Sequence, residues 1–182
     1  MSSYYYLAAQ LPYLTYGQSV PMSSGAFREL AHKHLSACDA AALDSCTLEP
    51  DMLEAAPAAS PEFVRSWKEW EKTLRFNLAR NRAKKLKREG GLPTEIPDTP
   101  FDAAGAARTA LAFESPLEAE IFLDKARWDA IESFQGLDAF SENAIYAYML
   151  KLLLMERRTA FSTEEGFTEY KALYAAILGE PK

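Results

Sequence analysis

A chain of 182 residues, 48% hydrophobic and 25% charged, is long enough to bury a core of its own, and its formal charge of −6 argues against a general nucleic-acid binder, which is basic across a whole face. Two cysteines, Cys38 and Cys46, make no disulfide framework, and no window approaches the roughly eighteen consecutive apolar residues of a membrane span. The expected setting is cytoplasmic, with any membrane association made through a partner. In chain order, residues 4–11 are aromatic and alanine-rich, close at Pro12 and are a short helix or a strand, with helix preferred, and 13–22 read as a loop. Ser23 or Ser24 caps a helix carrying Phe27, Leu30, Ala31, His34 and Leu35, and Ser36 with Asp39 starts another directly after it, so a tight hairpin is expected. Residues 47–59 are a connection.

The stretch 61–89 reads as one long central helix, with Ser60 as N-cap, Pro61 at the first helical position and Gly90-Gly91 as the stop. Phe63, Trp67, Trp70, Leu74, Leu78 and Leu86 fall on one stripe of a 3.6-residue period, which is read as core rather than as a cofactor box. From 72 to 88 the sequence holds eight basic residues and no acidic one: Lys72, Arg75, Arg80, Arg82, Lys84, Lys85, Lys87 and Arg88. A solvated helix face usually mixes signs. This one-signed run therefore points either to an acidic partner or to pairing with acidic helices of the same chain.

Residues 92–101 contain Pro93, Pro97 and Pro100 and form a Pro-rich linker, which places possible lobes at 1–91 and 102–182 of a single helical domain. Asp102 caps a short alanine-rich helix running to about Ala112. Ser115-Pro116-Leu117-Glu118 is a capping box opening a helix to about Phe134, before Gly136. Ser141 caps the next, with a wide apolar face from Ile145 to Met155. Ser162-Thr163-Glu164-Glu165 caps the last, which presents Phe167, Tyr170, Tyr174, Ile177 and Leu178. No run alternates with period two over a strand's length. The fold expected is all-α, a multi-helix bundle of about seven or eight helices.

No catalytic constellation emerges. His32, His34, Cys38 and Cys46 are clustered in sequence, and on one helix His34 and Cys38 would be a turn apart, a ligand spacing; a His near two small core cysteines is the reading preferred, with no metal. A Cys-His nucleophile lacks an orienting third group and an oxyanion hole. The eight glycines form no phosphate loop, the carboxylates are read as a solvated surface, and no cofactor is expected.

Two segments resemble the C-subunit (or d-subunit) family of V-type and A-type ATPases, the socket joining the central rotor stalk to the membrane ring. They are Tyr4-Tyr5-Tyr6-Leu7-Ala8-Ala9-Gln10-Leu11 and Ala144-Ile145-Tyr146-Ala147-Tyr148-Met149-Leu150-Lys151, the latter followed by Glu156-Arg157-Arg158. The opening and residues 67–82 are also similar to a short bacterial family of unassigned biochemical role encoded among V-type ATPase genes. The socket proteins are much longer, being built from repeated helical lobes; the likeness of residues 4–7 to 146–149 suits one such lobe. The resemblance implies a non-catalytic structural, coupling or accessory subunit of a bacterial V-type ATPase, with stalk or ring subunits as partners and peripheral placement at the inner face of the membrane. The charge count of the basic helix, rather than the resemblance, makes Arg80, Arg82, Lys84, Lys85, Lys87 and Arg88 the candidate partner-binding residues. The alternatives are a nucleic-acid-binding or protein-binding adaptor using the helix over 72–88, and an uncharacterised enzyme.

Overall fold

In a computed structural model, which describes residues 3–49, 59–87, 99 and 101–159, the described residues form seven helices and no strand. These are α1 (Ser3–Ala8), α2 (Ser24–His32), α3 (Ala37–Asp44), α4 (Glu62–Lys85), α5 (Ala103–Ala110), α6 (Pro116–Gln135) and α7 (Glu142–Thr159). The fold is all-α, a bundle of helices, and among the described residues none is long and apolar enough to cross a membrane. Most starts follow from local chemistry. Ser23 Oγ accepts from the Ala26 N–H at 3.1 Å, Ser36 Oγ from the Asp39 N–H at 3.2 Å and Ser115 Oγ from the Glu118 N–H at 3.4 Å, each satisfying a donor that the first helical turn leaves unpaired.

The helix α7 is central. Ile145, Tyr146, Met149, Leu150, Leu152 and Leu154 are all buried, too many for one stripe, and α1, α2, α3, α4 and α6 pack around it. The helix α4 lies chiefly along α5 and also meets α6 and α7, so residues on both sides of 92–101 share one core. Trp67 and Trp70 stack with ring centroids 5.9 Å apart, and their indole N–H groups donate to the carbonyls of Thr47 at 3.1 Å and Phe101 at 3.0 Å. A buried indole needs an acceptor, and here the acceptors are the loops on either side of α4. Phe63 completes the layer against Phe134 and Tyr146. The residues Glu156, Arg157 and Arg158 all act within the fold. Glu156 accepts from the Ser24 N–H and Oγ–H, both at 2.7 Å, Arg157 pairs with Glu120 at 2.7 Å, and Arg158 lies over the Tyr16 ring.

Several expected boundaries move. The long helix begins at Glu62 with Pro61, which is extended (ψ 147°), in the N-cap position expected of Ser60, and there is no side-chain cap because proline has no side-chain acceptor; it ends at Lys85 rather than near 89. Leu86 finds no core, being 66% exposed, and Lys87 turns left-handed at φ 53°. A run of like charges with no apolar anchor gives the helix no reason to continue. The helix α2 stops at His32, so His34 and Leu35 lie between α2 and α3, and His34 and Cys38 do not share a helix. Gly90-Gly91, Arg88, the prolines of 92–101 and the helix expected after Ser162 lie outside the described residues.

Candidate functional site

The cations of 72–88 divide into two groups. Arg75 donates from Nε to Glu71 Oε1 at 2.8 Å and also reaches the Leu48 carbonyl, and Lys72 sits 5.7 Å from the centre of the Phe76 ring, so the first two serve the fold. The last buried side chain of α4 is Leu78. Beyond it Arg82, Lys84, Lys85 and Lys87 are exposed and Arg80 is half-buried, and none of the five makes an ion pair among the described residues. Arg80 and Lys84 stand four residues apart, and Arg82 and Lys85 three, so these neighbours repel along the helix surface. The negative end of the helix dipole offsets part of that repulsion. An anionic partner would relieve the rest.

A second surface lies at the other end of the chain order. The helix α1 packs on α7, Tyr148 Oη donates to the Pro12 carbonyl at 3.0 Å, and Tyr4 Oη donates to Asp39 Oδ2 at 2.7 Å. Between α1, the loop after it and α7 is a cleft of about 220 Å³ lined by Leu11, Tyr13, Leu14, Ala139, Ile145 and Tyr148, with Lys151 and Gln135 at its edge. Burial pushes the Tyr148 hydroxyl up to about 12, so at neutral pH it is a neutral donor. The segments 4–11 and 144–151 thus face each other across one cleft. Next in the chain to the lining residue Ala139, Phe140 packs on Tyr5 of α1 with ring centres 4.8 Å apart, and both are exposed, as are Tyr6, Tyr13 and Leu137.

The interior holds charges, although the sequence pattern assigns the carboxylates to a solvated surface. Glu71 is 0% exposed and Arg127 is 4% exposed; Arg127 Nε donates to Glu71 Oε2 at 3.0 Å and Nη2 to Oε1 at 3.1 Å, a two-pronged bond between α4 and α6. Arg127 also donates to Asp124 at 3.1 Å, and Arg157 stands 3.6 Å from the same carboxylate. Asp124 Oδ2 is buried with no hydrogen-bond partner. Desolvation raises the Asp124 pKa above the ordinary carboxylate value, and Arg157 and Arg127 counter only part of it. A signal for this network exists in the sequence: Glu71 falls on the stripe of Trp67, Leu74 and Leu78, and Arg127 falls between Leu123 and Ile131 at four-residue spacing. A charge on an apolar stripe needs an opposite one facing it.

The His and Cys residues disperse. His32 Nε2 is 3.1 Å from Asp44 Oδ1, which Arg28 also engages at 3.0 Å; Cys38 is exposed, and Cys46 is buried with its thiol pushed up to about 12 by burial. Among the described residues no three His, Cys, Asp or Glu side chains gather as a metal site. Compared with protein-family models, curated proteins and solved structures, the chain finds no match.

Proposed function

We propose that the chain is a non-catalytic coupling or accessory subunit of a bacterial V-type ATPase, held to the central stalk or to the membrane rotor ring by the cationic end of α4. The observation that carries this reading is the run Arg80, Arg82, Lys84, Lys85 and Lys87, none of which makes an ion pair among the described residues, on a part of α4 with no buried side chain beyond Leu78. Arg88, outside the described residues, extends the run in sequence. Support for the particular machine comes from the resemblance of 4–11 and 144–151 to the stalk socket, two segments that pack against each other. An acidic docking surface on the stalk or the ring complements the run and fixes orientation as well as attraction.

The test is the triple substitution Arg82→Glu, Lys85→Glu and Arg88→Glu. The expected result is loss of co-purification with the ATPase stalk or ring while the far-ultraviolet helical spectrum is kept. Retained co-purification would overturn the reading. The same cations favour a second reading, a nucleic-acid adaptor. Phosphate tracking releases counterions, so affinity for a fluorescent duplex would fall steeply and linearly with the logarithm of salt. Absence of such binding at low salt removes that alternative.

A further inference from the structure

The face around the cleft has a chemistry opposite to that of the α4 end. Its exposed surface is aromatic and aliphatic, from Tyr5 and Tyr6 on α1, Tyr13 after it, and Leu137 and Phe140 in the turn between α6 and α7. Tyr13 is 91% exposed although it lines the cleft. Exposed carboxylates adjoin this patch along the chain. Asp138 and Glu142 are exposed on the turn and the first turn of α7, and Glu132 is exposed on the last turns of α6. The cation at the cleft is Lys151, and it is already engaged by Glu132 at 3.3 Å and Gln135 at 3.2 Å, with its ammonium over the Trp128 ring.

A cleft lined by apolar side chains with Tyr13 and Tyr148, beside a turn and helix start that carry the exposed carboxylates of Asp138 and Glu142, selects an occupant with an apolar face and positive flanks. Cations gain both from the carboxylates and from the faces of exposed tyrosine and phenylalanine rings. The described residues offer no strand edge, so an extended peptide could not add to a sheet here; the groove between α1 and α7 instead suits a helix laid along it, with one or two side chains entering the cleft. We propose that this face binds a cationic amphipathic helix of a partner protein, anchored by an aliphatic side chain in the cleft and flanked by Lys or Arg against Asp138 and Glu142. The proposal uses none of the residues of the α4 end. It stands or falls separately from the ATPase reading.

The experiment titrates the full chain with an idealised Leu/Lys amphipathic helical peptide, and in parallel with its Leu/Glu counterpart, by isothermal calorimetry. The expected result is saturable one-to-one binding of the Leu/Lys peptide that weakens by about tenfold or more in Tyr5→Ser/Phe140→Ser, because exposed aromatic anchors carry such contacts. Binding should weaken again in Asp138→Lys/Glu142→Lys. If the double aromatic variant loses helical signal, Tyr13→Ser, whose ring is almost wholly outside the core, is read in its place. Equal binding of the Leu/Glu peptide, or unchanged affinity in the aromatic variants, would overturn the proposal. So would concentration-dependent self-association in ultracentrifugation that those same variants abolish, since the occupant would then be a second copy.

Discussion

Removing the charge of Glu71 leaves Arg127 in the core without its two-pronged partner, whereas removing the charge of Asp124 leaves Arg127 still bound to Glu71 and Arg157 still bound to Glu120. The two carboxylates therefore answer differently to the same substitution. Glu71→Gln is expected to cost about 3–5 kcal/mol of unfolding free energy, because a buried cation is left incompletely paired. Asp124→Asn should hold the wild-type urea midpoint or raise it at neutral pH. The sign follows from the raised pKa of Asp124, whose main cause is desolvation: the native state keeps this proton to a higher pH than the unfolded chain, where the group titrates near 3.8. As pH rises from there through the raised native value, the unfolded state gains relative to the native one and stability falls. Asp124→Asn should flatten that fall, measured by urea unfolding at a series of pH values from about 4 to neutrality. Parallel pH profiles for the two proteins would refute the argument.

At the scale of the element, most starts can be read from the sequence because capping is local: Ser36 and Asp39, Ser115 and Glu118, and Asp102 before an alanine run each place an acceptor over unpaired donors within one turn. Ends are harder to read. The end of α4 is decided by where the core stops at Leu78, and that is a property of the packing partners rather than of the residues between 79 and 89. The burial of Glu71, Asp124 and Arg127 is obscured for the same reason, since each charge is intelligible only beside the other helix. The start of α5 shows a constraint that is local yet invisible in a residue pattern. Phe101 and Asp102 both take positive φ, at 66° and 24°, held by the Trp70 bond to the Phe101 carbonyl and by the Phe101 ring against Phe134. Asp102 Oδ1 then accepts from the Gly105 N–H at 2.8 Å so closely that a Cβ at Gly105 would overlap the carboxylate. Gly105→Ala should lower the melting temperature despite the better helix propensity of alanine. Gly25→Ala in α2, where a Cβ meets nothing nearer than 4.0 Å, should leave it equal or higher by up to about 1 kcal/mol of stability. Differential scanning calorimetry of the pair separates the two cases, and a stabilised Gly105→Ala would show the cap to be dispensable.

Across the whole molecule, burial is unevenly distributed, and so must be the resistance to opening. The helix α7 is packed on several sides, and the first part of α4 buries Phe63, Val64, Trp67, Trp70, Leu74 and Leu78, so opening either exposes much of the core at once. Amides there are expected to exchange with solvent deuterium only by global unfolding. From Ala79 to Lys85 no side chain of α4 is fully buried, and mutual repulsion between Arg80 and Lys84 and between Arg82 and Lys85 favours fraying. These last turns should exchange by local opening, orders of magnitude faster than the turns around Trp70. Salt screens exposed charges over about 8 Å at physiological strength, so raising it should slow exchange in 80–86 without altering the protection around Trp70. An acidic partner should do the same far more strongly, since it neutralises the cations and orders the turns that carry them. The measurement is hydrogen exchange by mass spectrometry on the free chain at low and high salt, then with poly-glutamate added. Slow, salt-independent exchange at Lys84 and Lys85 would mean that the cationic end is clamped by other parts of the chain, and the docking role assigned to it would fail with that result.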